Sequence, residues 1–168
     1  MTRTSAAITP RAAAPADFYS ATGYCAEESV GYLMKRIMLS IVHQADQQLD
    51  AHGLTNAQWA PLLKLRNSGP STVVELARWC LIDAGAMTRL LDRLEKKNLC
   101  KRVRSTTDRR VVQVELTPDG AAAAAKVPAV LADVMNAHLA GFSKTEWHAL
   151  KTYLTRMLAT GDAMREAP

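Results

Sequence analysis

Two helix-start signals stand so close together in the middle of the chain that only a short helix, a tight turn and a second helix satisfy both. In Thr72-Val-Val-Glu75 the Thr hydroxyl and the Glu carboxylate answer each other's free backbone N–H groups as a capping box, and Asp83 carries the acceptor an N-cap needs. Leu76, Ala77, Trp79 and Cys80 continue the first helix, and Met87, Leu90, Leu91 and Leu94 put an apolar face on the second. Two short capped helices across a tight turn make a helix-turn-helix. Gly85, Thr88, Arg89, Asp92, Arg93 and Lys96 are expected on the opposite face, because about 3.6 residues per turn gather these positions outward. The second helix is then apolar behind and basic in front.

After Leu99 the apolar period drops from that of a helix to that of a strand. Cys100–Ser105 and Val111–Leu116 read as a hairpin, with Thr106-Thr-Asp-Arg-Arg110 as its loop. A hairpin directly behind the second helix is a wing, with Arg109 and Arg110 at its tip. Upstream, Val30, Leu33, Met34, Ile37, Met38, Ile41, Val42, Ala45 and Leu49 recur at helical spacing over 26–52, and Thr55-Asn-Ala-Gln58 caps a further helix that contains Pro61. Downstream, Thr117-Pro118 starts a long helix to about Ala140 with Pro128 inside it, and Ser143-Lys-Thr-Glu146 caps a last one reaching Gly161. The fold class is therefore mainly α with a small β-hairpin wing, in the order α-α-α-α-β-β-α-α. The expected organisation is a flexible arm over 1–25, where Ala, Ser, Thr and Pro crowd the first residues, a winged helix-turn-helix lobe over 55–117, and dimerisation helices over 26–54 and 118–162. A lobe this small leaves the long flanking helices without enough surface to cover their apolar stripes, so a second copy related by a twofold is expected to cover them.

Charge singles out the same region. Of 21 Lys and Arg and 16 Asp and Glu, nine bases and four acids fall between Gly85 and Glu115, so the whole net charge of +5 sits there. That is the electrostatic footprint of a nucleic-acid face, although a solvated helix beside a basic loop has the same composition. Other chemistries find no support. Cys25, Cys80 and Cys100 include no CxxC pair and cannot all pair within one chain, and His43, His52, His138 and His148 have no ligand spacing, so neither a metal nor a cofactor is expected. No phosphate loop, nucleophile elbow or dinucleotide motif points to an enzyme. No apolar run reaches the roughly 18 residues of a membrane span or forms a secretory signal, which makes the expected setting cytoplasmic, with no membrane partner.

Asp108-Arg-Arg110-Val-Val-Gln-Val114-Glu-Leu116-Thr117-Pro-Asp-Gly120 resembles the D-x-R-x-x-x-V-x-L-T-x-x-G signature of MarR-type winged helix-turn-helix regulators. Leu54-Thr55-x-x-Gln58-Trp59, Glu75-Leu76-Ala77 and Arg89-Leu-Leu-Asp92-Arg-Leu94-Glu-Lys-Lys-Asn-Leu99 are similar too, in matching order from about Val30 to Leu158. The resemblance implies a dimeric, ligand-responsive repressor of a near-palindromic double-stranded DNA operator, with Arg110 on the wing entering the minor groove, where negative potential draws guanidinium groups. Arg109 would stand beside it, and Asp108 would pair with a nearby arginine to hold the loop's shape. On the recognition helix Arg89 is the expected guanine reader, Thr88 a base or methyl contact, and Gly85 and Ala86 the positions that let the helix come close. Arg93 and Lys96, with Ser71 and Thr72 at the start of the first motif helix, are expected to hold phosphates.

Regulators of this type often bind small aromatic acids or phenolic effectors between their dimerisation helices and their DNA-binding lobe. Here Tyr32, Arg36, Ser40 and His43 form one polar line at helical spacing, and Thr55 and Trp59 open the next helix. An arginine fork beside an indole suits an aromatic carboxylate; an interface ion pair for Arg36 and a core position for Trp59 is the competing reading. A cysteine-based redox sensor of the same fold is a further alternative. Its peroxide-sensing relatives, however, place their cysteine where this chain has Gly31, and Cys80 and Cys100 lie on apolar faces where a free thiol acts as a small hydrophobe. A non-specific architectural DNA binder is the remaining alternative.

Overall fold

A computed structural model describes residues 16–104 and 111–166. The chain is mainly α-helical with one small three-stranded antiparallel sheet, a winged helix-turn-helix. Its described residues fall into two compact units, one within 34–138 and the other made of 16–33 together with 139–166.

In the unit of residues 34–138 the elements are most of α1 (Val30–Asp50), then α2 (Asn56–Ser68), β1 (Ser71–Thr72), α3 (Val73–Cys80), α4 (Ala84–Lys96), β2 (Cys100–Arg104), β3 (Val112–Leu116) and α5 (Pro118–His138). Strand order is β1-β3-β2. β2 pairs with β3 from Cys100 opposite Leu116 to Arg104 opposite Val112, and β1 pairs through Ser71 opposite Val114. The sequence pattern finds the hairpin but not β1, whose two residues are too short to show a period. The core is drawn from every layer: Ala45 and Leu49 of α1, Leu62 of α2, Leu76 of α3, Met87, Leu91 and Leu94 of α4, and Val114 of β3.

One expectation is corrected here. α5 is not left with an unpartnered apolar face, because Ala124, Val127, Val130 and Val134 are buried in this same core and α5 packs on α2. Small residues in its first half let the two helices approach. Gly120 makes the closest approach of all: a Cβ there would lie 1.7 Å from the Leu99 carbonyl oxygen. Thr117 completes the corner, its Oγ1 accepting from Gly120 N at 3.0 Å and donating to the Asn98 carbonyl at 2.5 Å. The Thr-x-x-Gly of the motif is thus a cap and a backbone contact that pin the end of the wing to the end of α4.

In the other unit, Ala26–Glu28 is a 3-10 turn and α1 begins only at Val30, whereas the sequence pattern runs helical from Ala26. Ser29 makes the break, its backbone extended and its hydroxyl accepting from Tyr32 N at 3.2 Å in the manner of an N-cap. Val30 N donates to the Tyr19 hydroxyl at 3.0 Å. α6 (Lys144–Glu166) starts at the expected capping box, with Ser143 N and Oγ donating to the Glu146 carboxylate. It runs past Gly161, which weakens a helix but does not stop one without a left-handed backbone. Tyr153, Leu154, Met157 and Leu158 of α6 are all exposed, as are Val30, Leu33, Met34, Ile37, Met38 and Leu39 along α1. No described helix is long and apolar enough to cross a membrane.

Candidate nucleic-acid interface

The helix-turn-helix forms as its caps dictate. Thr72 Oγ1 accepts from Glu75 N at 3.3 Å, and the Glu75 carboxylate accepts from Thr72 N at 2.7 Å and Thr72 Oγ1 at 2.9 Å. α3 closes at Leu81, whose left-handed backbone (φ 57°) turns the chain, and Ile82 N donates back to the Ala77 carbonyl at 3.1 Å. Asp83 Oδ1 then accepts from Ala86 N at 2.8 Å and opens α4.

Met87, Leu90, Leu91 and Leu94 bury the inner face of α4, while Gly85, Thr88, Arg89, Asp92, Arg93 and Lys96 are exposed and Ala86 is half-buried. The lack of a side chain at Gly85 keeps the helix start narrow, since a Cβ would stand 3.1 Å from Asp83 Oδ1 and 3.6 Å from Arg89 Nη1. Thr88 Oγ1 donates to the Ala84 carbonyl at 2.8 Å, which leaves its methyl group and its acceptor lone pairs for an outside partner.

Asp92 and Glu95 would dilute a basic face, and the structure answers with a residue the sequence reading did not single out. Arg102, on β2, reaches across to α4. Its guanidinium pairs with Asp92 at 2.8 Å and with the Glu95 carboxylate, and donates to the Thr88 carbonyl at 3.3 Å; its backbone N–H donates to Glu95 Oε1 at 2.8 Å. Partial burial works against the Arg102 charge, but the Asp92 hydrogen bond and the charges of Glu95 and Asp92 outweigh it and raise its pKa. The wing is thereby braced on the recognition helix, and the two carboxylates share one cation that offsets half of their charge. A signal for this exists in the sequence: Arg102 shares a strand face with buried Cys100, two residues away, so it must point toward α4.

Other bases of the cluster also have structural roles. Lys97 Nζ donates to the Gly53 carbonyl at 2.9 Å and to Gln58 Oε1 at 3.0 Å, and Lys101 pairs across the wing with Glu115 at 3.5 Å. Among the described residues Arg89, Arg93 and Lys96 have no acidic partner within 4.0 Å. Asp108, Arg109 and Arg110 of the wing tip lie outside the described residues.

The hydroxyls of the two phosphate ligands expected at the start of α3 have partners within the chain. Ser71 is buried, paired with Val114 in the sheet, and its hydroxyl donates to the Gly69 carbonyl at 3.2 Å. The Thr72 hydroxyl is committed to the capping box, so a carboxylate of the chain itself, Glu75, occupies the anion position at the start of α3. The backbone and side-chain hydrogen bonds from Thr72 hold the Glu75 carboxyl below its ordinary range, which keeps it charged there.

The expected effector residues are dispersed among local bonds. Tyr32, Arg36, Ser40, His43 and Thr55 are exposed and Trp59 is half-buried. His138 Nδ1 lies 2.8 Å from the Val134 carbonyl and must carry its proton, so Nε2 accepts from Ser40 Oγ at 2.9 Å. His43 Nε2 accepts from Gln47 Nε2 at 3.0 Å. Thr55 N donates to Gln58 Oε1 at 3.2 Å, and Trp59 Nε1 to Asn56 Oδ1 at 3.0 Å. Asp46 on α1 accepts from Asn56 N and holds the start of α2 near the His43 end of the polar line. Of the thiols, Cys25 is exposed, burial raises the pKa of Cys80, and burial with the nearby Glu95 charge pushes Cys100 up to about 11. Among the described residues no three His, Cys, Asp or Glu side chains cluster as a metal site.

Residues 54–112 match the family model described as MarR family. The multiple antibiotic resistance protein MarR of Salmonella typhimurium is 45% identical over 69 residues, which cover 41% of this chain and 48% of that protein. The chain thus spans about half the length of this curated relative. Among solved structures, Bordetella bronchiseptica BpsR, whose DNA binding is regulated by 6-hydroxynicotinic acid, superposes with a TM-score of 0.72 at 29% identity, covering 81% of this chain and 96% of BpsR. A mutant of Escherichia coli MarR in complex with operator DNA superposes with a TM-score of 0.71 at 29% identity, covering 76% of this chain and 92% of that one.

Proposed function

We propose that this chain is, through its winged-helix lobe, a regulator of the MarR family, and that it is a homodimeric transcriptional repressor that binds a near-palindromic DNA operator and is released by a small aromatic acid or phenolic effector. The observation that carries the DNA-binding part is the state of α4: Arg89, Arg93 and Lys96 stand exposed without acidic partners among the described residues, while Arg102 engages the two carboxylates of the same helix. Arg89 lies one turn into the helix, where a guanidinium can donate two bonds to guanine O6 and N7, worth about 1–3 kcal/mol of discrimination. Arg93 and Lys96 hold phosphates, and Arg110, by resemblance to the family signature, is the residue assigned to the minor groove.

Selection of bound fragments from random DNA tests this, followed by two variants. Arg89→Ala relaxes sequence preference, whereas Arg93→Ala weakens binding to every sequence and lowers the dependence on salt. Unchanged preference in Arg89→Ala sinks the groove assignment.

The dimer reading rests on the exposed apolar side chains along α1 and, separately, along α6, since a monomer in water rarely leaves so many apolar side chains of a helix uncovered. A second copy brings a second α4, and the two must lie about 34–36 Å apart to enter successive major grooves. Sedimentation of a single subunit under dilute conditions contradicts it. For the effector, the BpsR ligand supports an aromatic acid, and Arg36 is the cation of the α1 line that would receive its carboxylate. Release of DNA by hydroxylated aromatic acids is the assay, and silence toward all of them refutes the effector reading.

A further inference from the structure

Lys97 closes α4, and its ammonium crosses to the corner between α1 and α2, where it donates to the Gly53 carbonyl at 2.9 Å and to Gln58 Oε1 at 3.0 Å. That corner is fixed by bonds of its own. Gly53 has a left-handed backbone (φ 68°), with its N donating to the Asp50 carbonyl at 2.9 Å, Leu54 N donates to the Leu49 carbonyl at 3.1 Å, and Asn56 N donates to the Asp46 carboxylate. Gln58 is buried, and the same Oε1 accepts from Thr55 N at 3.2 Å. On the reading of α4 as the DNA-recognition helix, we infer that Lys97 is a positioning residue: it ties the end of α4 to the α1–α2 corner and so sets where Arg89 stands, without itself touching DNA.

An ammonium at the end of a basic helix offers itself as a phosphate ligand, as its neighbour Lys96 does, and the acceptors separate the two. Lys96 is exposed, with no acidic partner within 4.0 Å among the described residues. Lys97, by contrast, directs two of its three protons to a backbone carbonyl and a buried amide oxygen. Such bonds are charge-assisted, and drawing Lys97 off to a phosphate would take from buried Gln58 one of its two donors. Across α4, Asn98, also left-handed (φ 57°), donates from Nδ2 to Asp119 Oδ2 at 2.8 Å, and the Thr117 hydroxyl donates to the Asn98 carbonyl. The last turn of α4 is thus held on one side by the start of α5 and on the other by the α1–α2 corner, and Lys97 supplies the second tie. Arg89 lies about 12 Å back along the helix at about 1.5 Å per residue, so a tilt of about 5° about the held end moves it by about 1 Å. A site that reads bases tolerates only about 0.5 Å.

Two neighbouring variants test this. Lys96→Met and Lys97→Met remove the same charge one residue apart, so a difference between them comes from contacts rather than from the net field. Each is measured by fluorescence anisotropy across a salt series, on the site that the parent selects from random DNA and on an unrelated duplex, after its circular dichroism spectrum is checked against the parent's. Lys96→Met is expected to weaken both duplexes alike and to lower the salt slope by about 0.9, the value of one phosphate. Lys97→Met is expected to keep the parent's salt slope and to bind the unrelated duplex within about twofold of the parent. On the selected site it is expected to lose at least about fivefold, the low end of what one base-edge bond discriminates. Gln58→Met, buried away from the outward face of α4, is expected to lose preference in the same way, and the double variant Lys97→Met, Gln58→Met to lose less than the product of the two single losses. If Lys97→Met behaves like Lys96→Met, Lys97 is a phosphate ligand; if it keeps the parent's preference, the tie does not position α4. Either result overturns the proposal, as do fully multiplicative losses in the double variant. Should Gln58→Met unfold, the two lysine variants decide alone. A parent that selects no site sinks the operator reading, and with it this inference, and is told apart from the other outcomes before any variant is made.

Discussion

Replacing Arg102 with glutamine removes a cation whose partners are carboxylates of the chain itself, yet the structure predicts a loss of DNA affinity as well as of stability. Arg102 makes no outward-facing contact; it pairs with Asp92 at 2.8 Å and with Glu95, and it ties β2 to the Thr88 carbonyl. The Asp92 side chain is 51% exposed, so its pair is discounted for solvent, whereas the Arg102 and Glu95 side chains are 27% and 30% exposed and their bond is better sheltered. Taking about 0.5 kcal/mol for the first and about 1.5 kcal/mol for the second gives a loss of about 2 kcal/mol in stability. For a chain of this length that is a fall of about 4–8 °C in Tm. The unmasked carboxylates then face the phosphates. One uncompensated unit of negative charge is repelled by about 0.5 kcal/mol at about 8 Å in water, so the loss costs about twofold in DNA affinity at low salt, and less as salt screens it. The informative comparison is the triple variant Arg102→Gln, Asp92→Asn, Glu95→Gln, in which no charge is left unpaired. Measured by fluorescence anisotropy across a salt series, it is expected to bind DNA at least as tightly as the parent while remaining thermally weakened, because the brace is still absent. Should Arg102→Gln bind DNA as the parent does, or should the triple variant fail to recover, Arg102 does not act by masking Asp92 and Glu95.

Three further outcomes follow from the same geometry. Gly120→Ala forces a Cβ to within 1.7 Å of the Leu99 carbonyl oxygen, so the α4–wing–α5 corner must open; a loss of about 3 kcal/mol is expected in urea unfolding, and a variant as stable as the parent refutes the close approach. The Glu75 and Glu146 carboxyls are both held below their ordinary value of 4.5, Glu75 by its bonds from Thr72 and Glu146 by its bonds from Ser143. Folded pKa values below the unfolded ones mean stabilisation that is complete above about pH 4.5 and disappears as pH falls through the lowered values. The double variant Glu75→Gln, Glu146→Gln keeps a capping partner but not the charge, so its melting temperature between pH 6 and pH 3 should fall less steeply than the parent's. Finally, exposed Cys25 should react with a thiol reagent in the native protein at neutral pH, while Cys100, buried and pushed to about 11, should react only on unfolding; modification of Cys100 in the folded state would place it at the surface.

The parts of this protein legible in the sequence are those whose physics is local. Thr72 with Glu75, Asp83, Thr117 with Pro118, and Ser143 with Glu146 each satisfy backbone groups within about one turn of themselves, so helix starts could be read with no knowledge of the rest of the chain. Apolar spacing likewise assigned Met87, Leu90, Leu91 and Leu94 to the inside of α4 and, by exclusion, Arg89, Arg93 and Lys96 to the outside. Ser29 was legible by the same rule and was overridden by the longer apolar pattern around it.

What the tertiary structure decided depends on partners far along the chain. Ser71 is buried because Val114, distant in sequence, pairs with it in the sheet. α5 turned out to be core because α2 was there to receive Val127 and Val134. Arg102 became the brace of the recognition helix because β2 lies against α4, and a period of two only indicated which way it pointed. The meeting of Lys97 with Gly53 and Gln58 has no sequence signature at all, since it joins the end of α4 to a corner far behind it in the chain. Local hydrogen-bond demand determines where elements begin, whereas which charges remain unpaired is settled only when those elements meet.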